Sequence, residues 1–234
     1  MDTQARTRKI LKECGTFHDG GHFVYSSGLH GDFYINKDAL YTHPRKLDDV
    51  CVMMTDLAVG SFGAFDTVLA PAISGTVIGQ NIAYNLSLEQ TTEIRFAYAE
   101  KHQTNPFIRT IRRGYQQVII KKRVLLVDDV VTTGKTLVGM AQAVTSLGGT
   151  VVGAVVICDR GSVRNLKYLL ETPENPSHQG AYLKESELHI APLVELDLKT
   201  FKPDKCPFCK ANRPIDVDLG EGYLLNTAGI MVGT

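Results

Sequence analysis

The sequence carries no net charge: 25 acidic and 25 basic side chains cancel over 234 residues. Nothing global therefore draws the chain to nucleic acid or to an anionic membrane. It has no apolar run near the ~20 residues of a membrane span. Its start, MDTQARTRKI, lacks the hydrophobic centre of a secretory signal. Cysteine is sparse and odd in number, five at uneven spacing. That argues against a disulfide framework and for reduced thiols in a cytoplasmic setting. There is no internal repeat and no low-complexity segment. The 44% hydrophobic content suffices for a core, and the length suits one domain with small appendages.

Two familiar phosphate loops are also missing. The stretch RVLLVDDVVTTGKTL, Arg123 to Leu137, contains a GKT triplet, but a Walker A loop needs Gly six residues ahead of Lys135, and Asp129 stands there. A dinucleotide fingerprint needs GxGxxG at the turn, and only Gly134 is present. What is there is a β-branched apolar run, Val124 to Val127, then Asp128 and Asp129, then a small-residue turn, Thr132-Thr133-Gly134, and helix formers from Lys135. This reads as a buried strand, a phosphate-sized loop and a helix start. Backbone N–H groups and hydroxyls at such a junction suit an oxyanion, with the helix dipole adding to the attraction. Carboxylates at the strand end suit a ribose diol, directly or through Mg²⁺. Diol, 5-phosphate and Mg²⁺ together describe 5-phosphoribosyl 1-pyrophosphate (PRPP). The plainer alternative is a surface acidic pair capping an ordinary helix.

Taken in order, residues 3–14 predict a short amphipathic helix. His22 to Tyr25 and Asp32 to Asn36 predict two strands about a Ser26-Ser27-Gly28 turn, a small hood over residues 1–43. Pro44 opens a helix to about Gly60, with Leu47, Val50, Cys51, Met54 and Leu57 at helical spacing. A βα rhythm follows. Strands are expected at Thr67 to Ala70, Glu93 to Ala99, Val124 to Val127 and Thr150 to Cys158, with a fifth at Leu188 to Ile190. Helices are expected from Thr76 to about Leu86 and from Lys135 to Leu147, the latter stopped by Gly148-Gly149. Ile108 to Ile119 reads as a hairpin around Arg113-Gly114. The fold class is α/β, a central parallel sheet flanked by helices, with its core over 44–200. Residues 172–186 read as an exposed loop. The tail 201–234 is expected to be extended or disordered.

Open sheets of this kind bind ligands at the carboxyl ends of their strands. Ala72, Ile73, Ser74 and Gly75 lie at one such end, as a pyrophosphate loop or a plain βα turn. Arg160 lies at another, as a surface residue or a fork for a planar carboxylate. The cations Arg109, Arg112, Arg113, Lys121, Lys122 and Arg123 form a nucleic-acid patch, a set of solvated charges, or a group of which one or two join Lys101 and His102 over a leaving pyrophosphate. Cys206-Pro207-Phe208-Cys209 is a lone CxxC. A structural zinc needs four ligands. Cys14, His18 and His22 are candidates that nothing in the sequence brings near, so zinc at Cys206 and Cys209 is the minor reading. A redox role is weaker still.

Up to about Pro214 the chain resembles the orotate phosphoribosyltransferases, a type I phosphoribosyltransferase family. The resemblance rests on GHFVYSSGLHGDFYINK, RFAYAEK, IRTIRRGY, RVLLVDDVVTTGKT, CDRG and ELDLKTFKPDKCPFC, in that order. It implies transfer of phosphoribose from PRPP to orotate by a Mg²⁺-dependent homodimer. It implies that Asp128, Asp129, Val130, Val131, Thr132, Thr133, Gly134, Lys135 and Thr136 bind PRPP, with Asp128 and Asp129 toward the metal. Thr132 and Arg160 would contact orotate, with Tyr34 and Ser26 near the base. The loop near Lys101 would reach the neighbouring subunit's site. The best-known branch has Lys at the positions of Ser26 and Ser74, and Arg-Lys at Tyr98-Ala99. No lysine is carried over from there, so Lys101 and His102 stand as the nearest cations. Two other classes fit the same motif: a phosphoribosyltransferase for another base, and a PRPP-sensing RNA-binding regulator. Zero net charge opposes the regulator, and Arg160 opposes a purine.

Overall fold

The computed structural model describes residues 2–25, 28–89, 93–105, 108–161, 165–172, 182–196 and 198–219. In chain order the elements begin with α1 (Thr3–Glu13), β1 (Phe17–Val24), β2 (His30–Ile35), α2 (Lys37–Tyr41) and α3 (Pro44–Phe62). They continue with β3 (Thr67–Pro71), α4 (Ser74–Glu89), β4 (Arg95–Lys101), β5 (Arg109–Thr110), β6 (Arg123–Val131) and α5 (Lys135–Ser146). Last come β7 (Thr150–Asp159), β8 (Asn165–Thr172), β9 (Tyr182–Glu195) and α6 (Pro207–Lys210). The chain divides into two compact units, Met1–Lys46 with Asp197–Thr234, and Leu47–Leu196.

The larger unit is a seven-stranded sheet in the order β5-β4-β3-β6-β7-β9-β8. Its centre, β4-β3-β6-β7-β9, is parallel, and β5 and β8 close the edges as antiparallel partners. β6 is the middle strand, and Val124 to Val127 are fully buried. That is why its sequence is a continuous apolar run and not an alternating one. α4 packs Ile78, Ile82 and Leu86 inward at four-residue spacing, and α5 packs Leu137, Met140, Ala141 and Val144. These periods mark one helical face each. α5 ends at Ser146, and Gly148 just beyond its C-cap Leu147 reverses the chain with a φ of +76°.

The connections fix where a ligand belongs. From β3 the chain passes through α4 to β4 on one side, and from β6 through α5 to β7 on the other. The winding direction reverses between β3 and β6. Their carboxyl ends therefore splay apart and leave the crevice in which open α/β sheets bind ligands.

The parallel sheet with flanking helices agrees with the sequence reading, but two local expectations do not. No hairpin spans Ile108 to Ile119. β5 pairs with β4, and Arg113 and Gly114, both at positive φ, turn the chain into a 3-10 helix over Tyr115–Val118. The stretch 172–186 is not wholly loop, because Tyr182 to Ser186 belong to β9 and pair with β8.

The smaller unit holds α1, the β1–β2 hairpin, α2 and the chain after Asp197. The expectation of an extended tail fails for residues 198–219. Phe201 and His30 exchange backbone hydrogen bonds at 2.8 and 2.9 Å, and the Asp216 N–H donates to the His22 carbonyl at 2.8 Å. Residues 220–234 lie outside the described part.

Candidate active site at the sheet switch point

Strand register sets the positions along the carboxyl edge. Leu69 of β3 is level with Leu126 of β6, so two residues further on Pro71 is level with Asp128. Pro71 pairs with Ala99 of β4, and Val131 of β6 pairs with Asp159 of β7. The loop from Ala72 thus leaves the sheet beside Asp129, and Arg160 leaves it beside Thr132. The Arg160 N–H donates to the Val131 carbonyl at 2.8 Å and locks these ends together.

Asp128 and Asp129 are buried at 6% and 4% exposure. Neighbouring strand residues face opposite sides of a sheet, so the two carboxylates flank the strand end. The Asp129 N–H donates to Asp128 Oδ1 at 2.9 Å, and the Val130 N–H to Asp129 Oδ1 at 2.7 Å. Each acid is thereby held in one orientation. Beyond Val131, Thr132, Thr133 and Lys135 are exposed and Thr136 is half-buried. Gly134 caps α5 at φ +71°, and a Cβ there would lie 2.1 Å from Leu166 Cδ1. Only glycine suits both conditions. The turn presents its hydroxyls and the first N–H groups of α5, a ready oxyanion cradle.

The second loop has a similar build. The Ala72 N–H donates to the Ala99 carbonyl at 2.8 Å, the Ala72–Ile73 peptide is cis, and α4 starts at Ser74. Ile73 is 87% exposed, Ser74 half-buried and Gly75 buried, with its Cα so near Pro71 that a Cβ would meet Pro71 Cδ at 2.5 Å. Two helix N-termini that follow adjacent strands therefore open at the same carboxyl edge of the sheet. Their dipoles both favour anions.

The structure sorts the basic cluster. Lys121, Lys122 and Arg123 sit at the opposite, amino end of β6, about 26 Å from its carboxyl end at ~3.3 Å per residue. Arg113 is ion-paired with Glu100 at 3.0 Å, and that partner raises its pKa. Arg112 is exposed. Arg109 alone turns to the phosphate loop: it is 7% exposed, and its Nη2 donates to Thr136 Oγ1 at 3.1 Å. Burial lowers its pKa while the nearby Asp128 charge opposes that shift. Sequence reasoning held Arg109 only as one of six; its register opposite Lys101 was the missing signal. Lys101 is exposed and His102 half-buried at the end of β4. The His102 N–H donates to the Ile108 carbonyl at 3.1 Å, and its Nδ1 meets Thr104 Oγ1 at 3.1 Å. Asp159, 1% exposed, accepts the Gly161 N–H at 2.8 Å and so shapes the turn that carries Arg160. No local pattern around Asp159 singled it out beforehand.

Tyr34 lies in the smaller unit on β2, half-buried, its ring 5.6 Å from that of Phe23. Ser26 lies outside the described residues. A cleft of about 430 Å³ lined by Tyr84, Ser87, Ile94 and Tyr115 adjoins the amino end of β4, away from these loops.

Residues 36–185 match the family model of the phosphoribosyl transferase domain. The chain is 30% identical over 211 residues to the orotate phosphoribosyltransferase of Campylobacter concisus, covering 87% of this chain and 92% of that one. Among solved structures it is similar to orotate phosphoribosyltransferase of Mycobacterium tuberculosis, in complex with Fe(III) dicitrate. The TM-score there is 0.56 at 20% identity, over 83% of this chain and 97% of that one. The enzyme of Aeropyrum pernix gives 0.55 at 19% identity, over 81% and 93%. At that identity the structures speak for the fold, which is the same mixed sheet with flanking helices. With the family model spanning more than half of its length, and the acid pair, the turn and both helix N-termini gathered at the switch point, the chain belongs to the phosphoribosyltransferase family.

Proposed function

We propose that the protein transfers the 5-phosphoribosyl group of PRPP to orotate, releasing pyrophosphate and giving orotidine 5′-monophosphate. The observation that carries this is the buried Asp128–Asp129 pair set between two phosphate-sized helix N-termini. The orotate phosphoribosyltransferase relatives support the choice of base. In this reading Thr132 to Thr136 hold the 5-phosphate, Asp128 and Asp129 the ribose diol, and Ala72 to Gly75 the pyrophosphate. Arg160 and Thr132 face the base. The bond from the anomeric carbon to the pyrophosphate oxygen breaks, a ring nitrogen of orotate takes its place, and the proton of that nitrogen passes to the released pyrophosphate or to solvent. Positive charge develops on the ribose and negative charge on the departing oxygens. Arg109, bonded to Thr136, backs the 5-phosphate turn, while the α4 N-terminus, Lys101 and His102 stabilise the leaving group, and exclusion of water protects the activated sugar. Carboxylates suit Mg²⁺ as hard oxygen ligands; Asp128 and Asp129 would hold it, through water or directly, and it would screen the pyrophosphate charge.

We place the enzyme in the cytoplasm as a homodimer. Val77, Tyr84 and Leu88 form an exposed apolar stripe on α4, with Val52 and Val59 exposed on α3. Light scattering should give a mass near twice the chain's 25.7 kDa, and a stable monomer would refute the dimer. Among the described residues no helix is long and apolar enough to cross a membrane.

The functional test is pyrophosphate release from PRPP and Mg²⁺ with orotate, uracil, adenine or hypoxanthine as acceptor. Saturable release with orotate alone is expected. Turnover of a purine in place of orotate would move the assignment to salvage. Binding of PRPP with no acceptor, together with RNA binding, would favour the regulator.

A further inference from the structure

Four potential metal ligands meet in the smaller unit: His22, His30, Cys206 and Cys209 place one ligand atom each within 4.8 Å of one another. All four lie outside residues 36–185, the span of the family domain. We propose that they form a structural zinc site, S₂N₂ and tetrahedral, that staples the CPFC segment to the β1–β2 hairpin.

The local build explains the convergence. Val24 pairs with His30 across the hairpin. His22 is two residues before Val24, so strand alternation puts both imidazoles on one face as diagonal neighbours. Cys206 precedes the single turn of α6 and Cys209 lies within it, so Pro207 and Phe208 bend the two thiols to the same side. The Phe201–His30 backbone pair and the Asp216–His22 bond bring this turn against the hairpin. Phe208 stands 5.6 Å from the His22 ring, Phe201 packs edge-on against Phe208, and Arg213 lies 5.2 Å over its face. His22, His30 and Cys206 are buried and Cys209 is half-buried.

The ligand atoms converge and do not pair off. His22 Nε2 is 2.9 Å from His30 Nδ1, 3.6 Å from Cys206 Sγ and 3.7 Å from Cys209 Sγ. His30 Nδ1 is 3.3 Å from Cys209 Sγ. With Zn–N near 2.1 Å and Zn–S near 2.3 Å, tetrahedral ligand atoms stand roughly 3.4–3.8 Å apart. The two imidazoles need to part by about 0.5 Å, and the three sulfur–nitrogen separations given above shift by about 0.3 Å or less. His22 also has the outer partner that zinc-binding histidines use: its Nδ1 is 2.9 Å from the Arg213 carbonyl. A carbonyl only accepts, so Nδ1 carries the proton and Nε2 points a lone pair at the cluster. Two thiolates balance the charge of Zn²⁺, so a buried site bears no net charge. Four protein ligands leave no position for water, which makes the site structural and not catalytic.

The test uses the full, untagged chain, purified under reducing conditions from zinc-replete medium. Elemental analysis should give about one zinc per chain. Cobalt(II) added to chelator-stripped protein should give the intense visible bands of a tetrahedral site with thiolate-to-cobalt charge transfer, saturating at about one equivalent. Stripping should lower Tm and release two more thiols for titration, those of Cys206 and Cys209. Cys206→Ser and His22→Gln should lose the metal, and His43→Gln, at an exposed histidine, should keep it. If a variant fails to fold, the parent's cobalt spectrum decides. A folded, reduced parent that holds no zinc and takes up no cobalt overturns the proposal, as does full metal occupancy in Cys206→Ser.

Discussion

In the proposed reaction, Arg160 is the residue on which the choice of base turns. Its backbone is fixed to Val131 and its turn is shaped by Asp159. A guanidinium fork on the orotate carboxylate is a charge-assisted contact worth roughly 1.5–3 kcal/mol. Arg160→Ala should lower kcat/KM for orotate about 10- to 100-fold, since each ~1.4 kcal/mol is tenfold. PRPP affinity should change little, and Arg160→Lys should rescue only in part because a lysine offers a point charge. Undiminished kcat/KM in Arg160→Ala would remove the base from this residue. Gly134 carries a second prediction. Gly134→Ala places a Cβ at positive φ and against Leu166. The backbone part alone costs about 1–2 kcal/mol. Adding Leu166→Ala should relieve the clash but leave the backbone part, so urea unfolding should show partial rescue; strictly additive losses would contradict this. A third concerns Cys51, whose thiol burial pushes up to about 12. It should resist alkylation in the native protein at neutral pH, as read by mass spectrometry. The residues of the phosphate loop were legible in the sequence because strand, turn and helix start are contiguous there. Arg109 and the His22–His30 pair were not, because each depends on a strand register that no local pattern encodes.

Elements differ in how openly they announce themselves. β3, β6 and β7 each carry a continuous apolar run and helical periods mark α3, α4 and α5, so the parallel core could be read directly. β8 and the first half of β9 could not. The polar, turn-rich stretch 172–186 looks like a loop, and Tyr182 to Ser186 extend only because β8 offers an edge to pair with. β5 is two residues long and exists as a partner for the end of β4. These origins predict a gradient of local stability. Backbone amides of β6, buried and flanked on both sides, should show the slowest hydrogen exchange, and those of β5 should exchange far sooner. Equal protection of the two by exchange mass spectrometry would contradict the view that the edges are borrowed structure.

For the whole molecule, sequence and structure draw the boundaries differently. The sequence suggested a phosphoribosyltransferase body followed by a loose tail. In the structure residues 198–219 fold with the N-terminal hairpin, through contacts between residues more than 170 positions apart, a separation at which sequence spacing says nothing. The parallel core of the larger unit, by contrast, was legible as βα order, and the reversal between β3 and β6 places the proposed site. In the proposed reaction the buried acids at that reversal hold the ribose of PRPP. This is tested most directly with Asp128→Asn combined with Asp129→Asn, which keeps volume and removes charge. PRPP affinity would be measured by calorimetry in the presence of Mg²⁺, alongside a thermal melt to show that the fold persists. A folded variant with no measurable PRPP binding and no orotate turnover is expected. A folded variant that binds PRPP as tightly as the parent would contradict it.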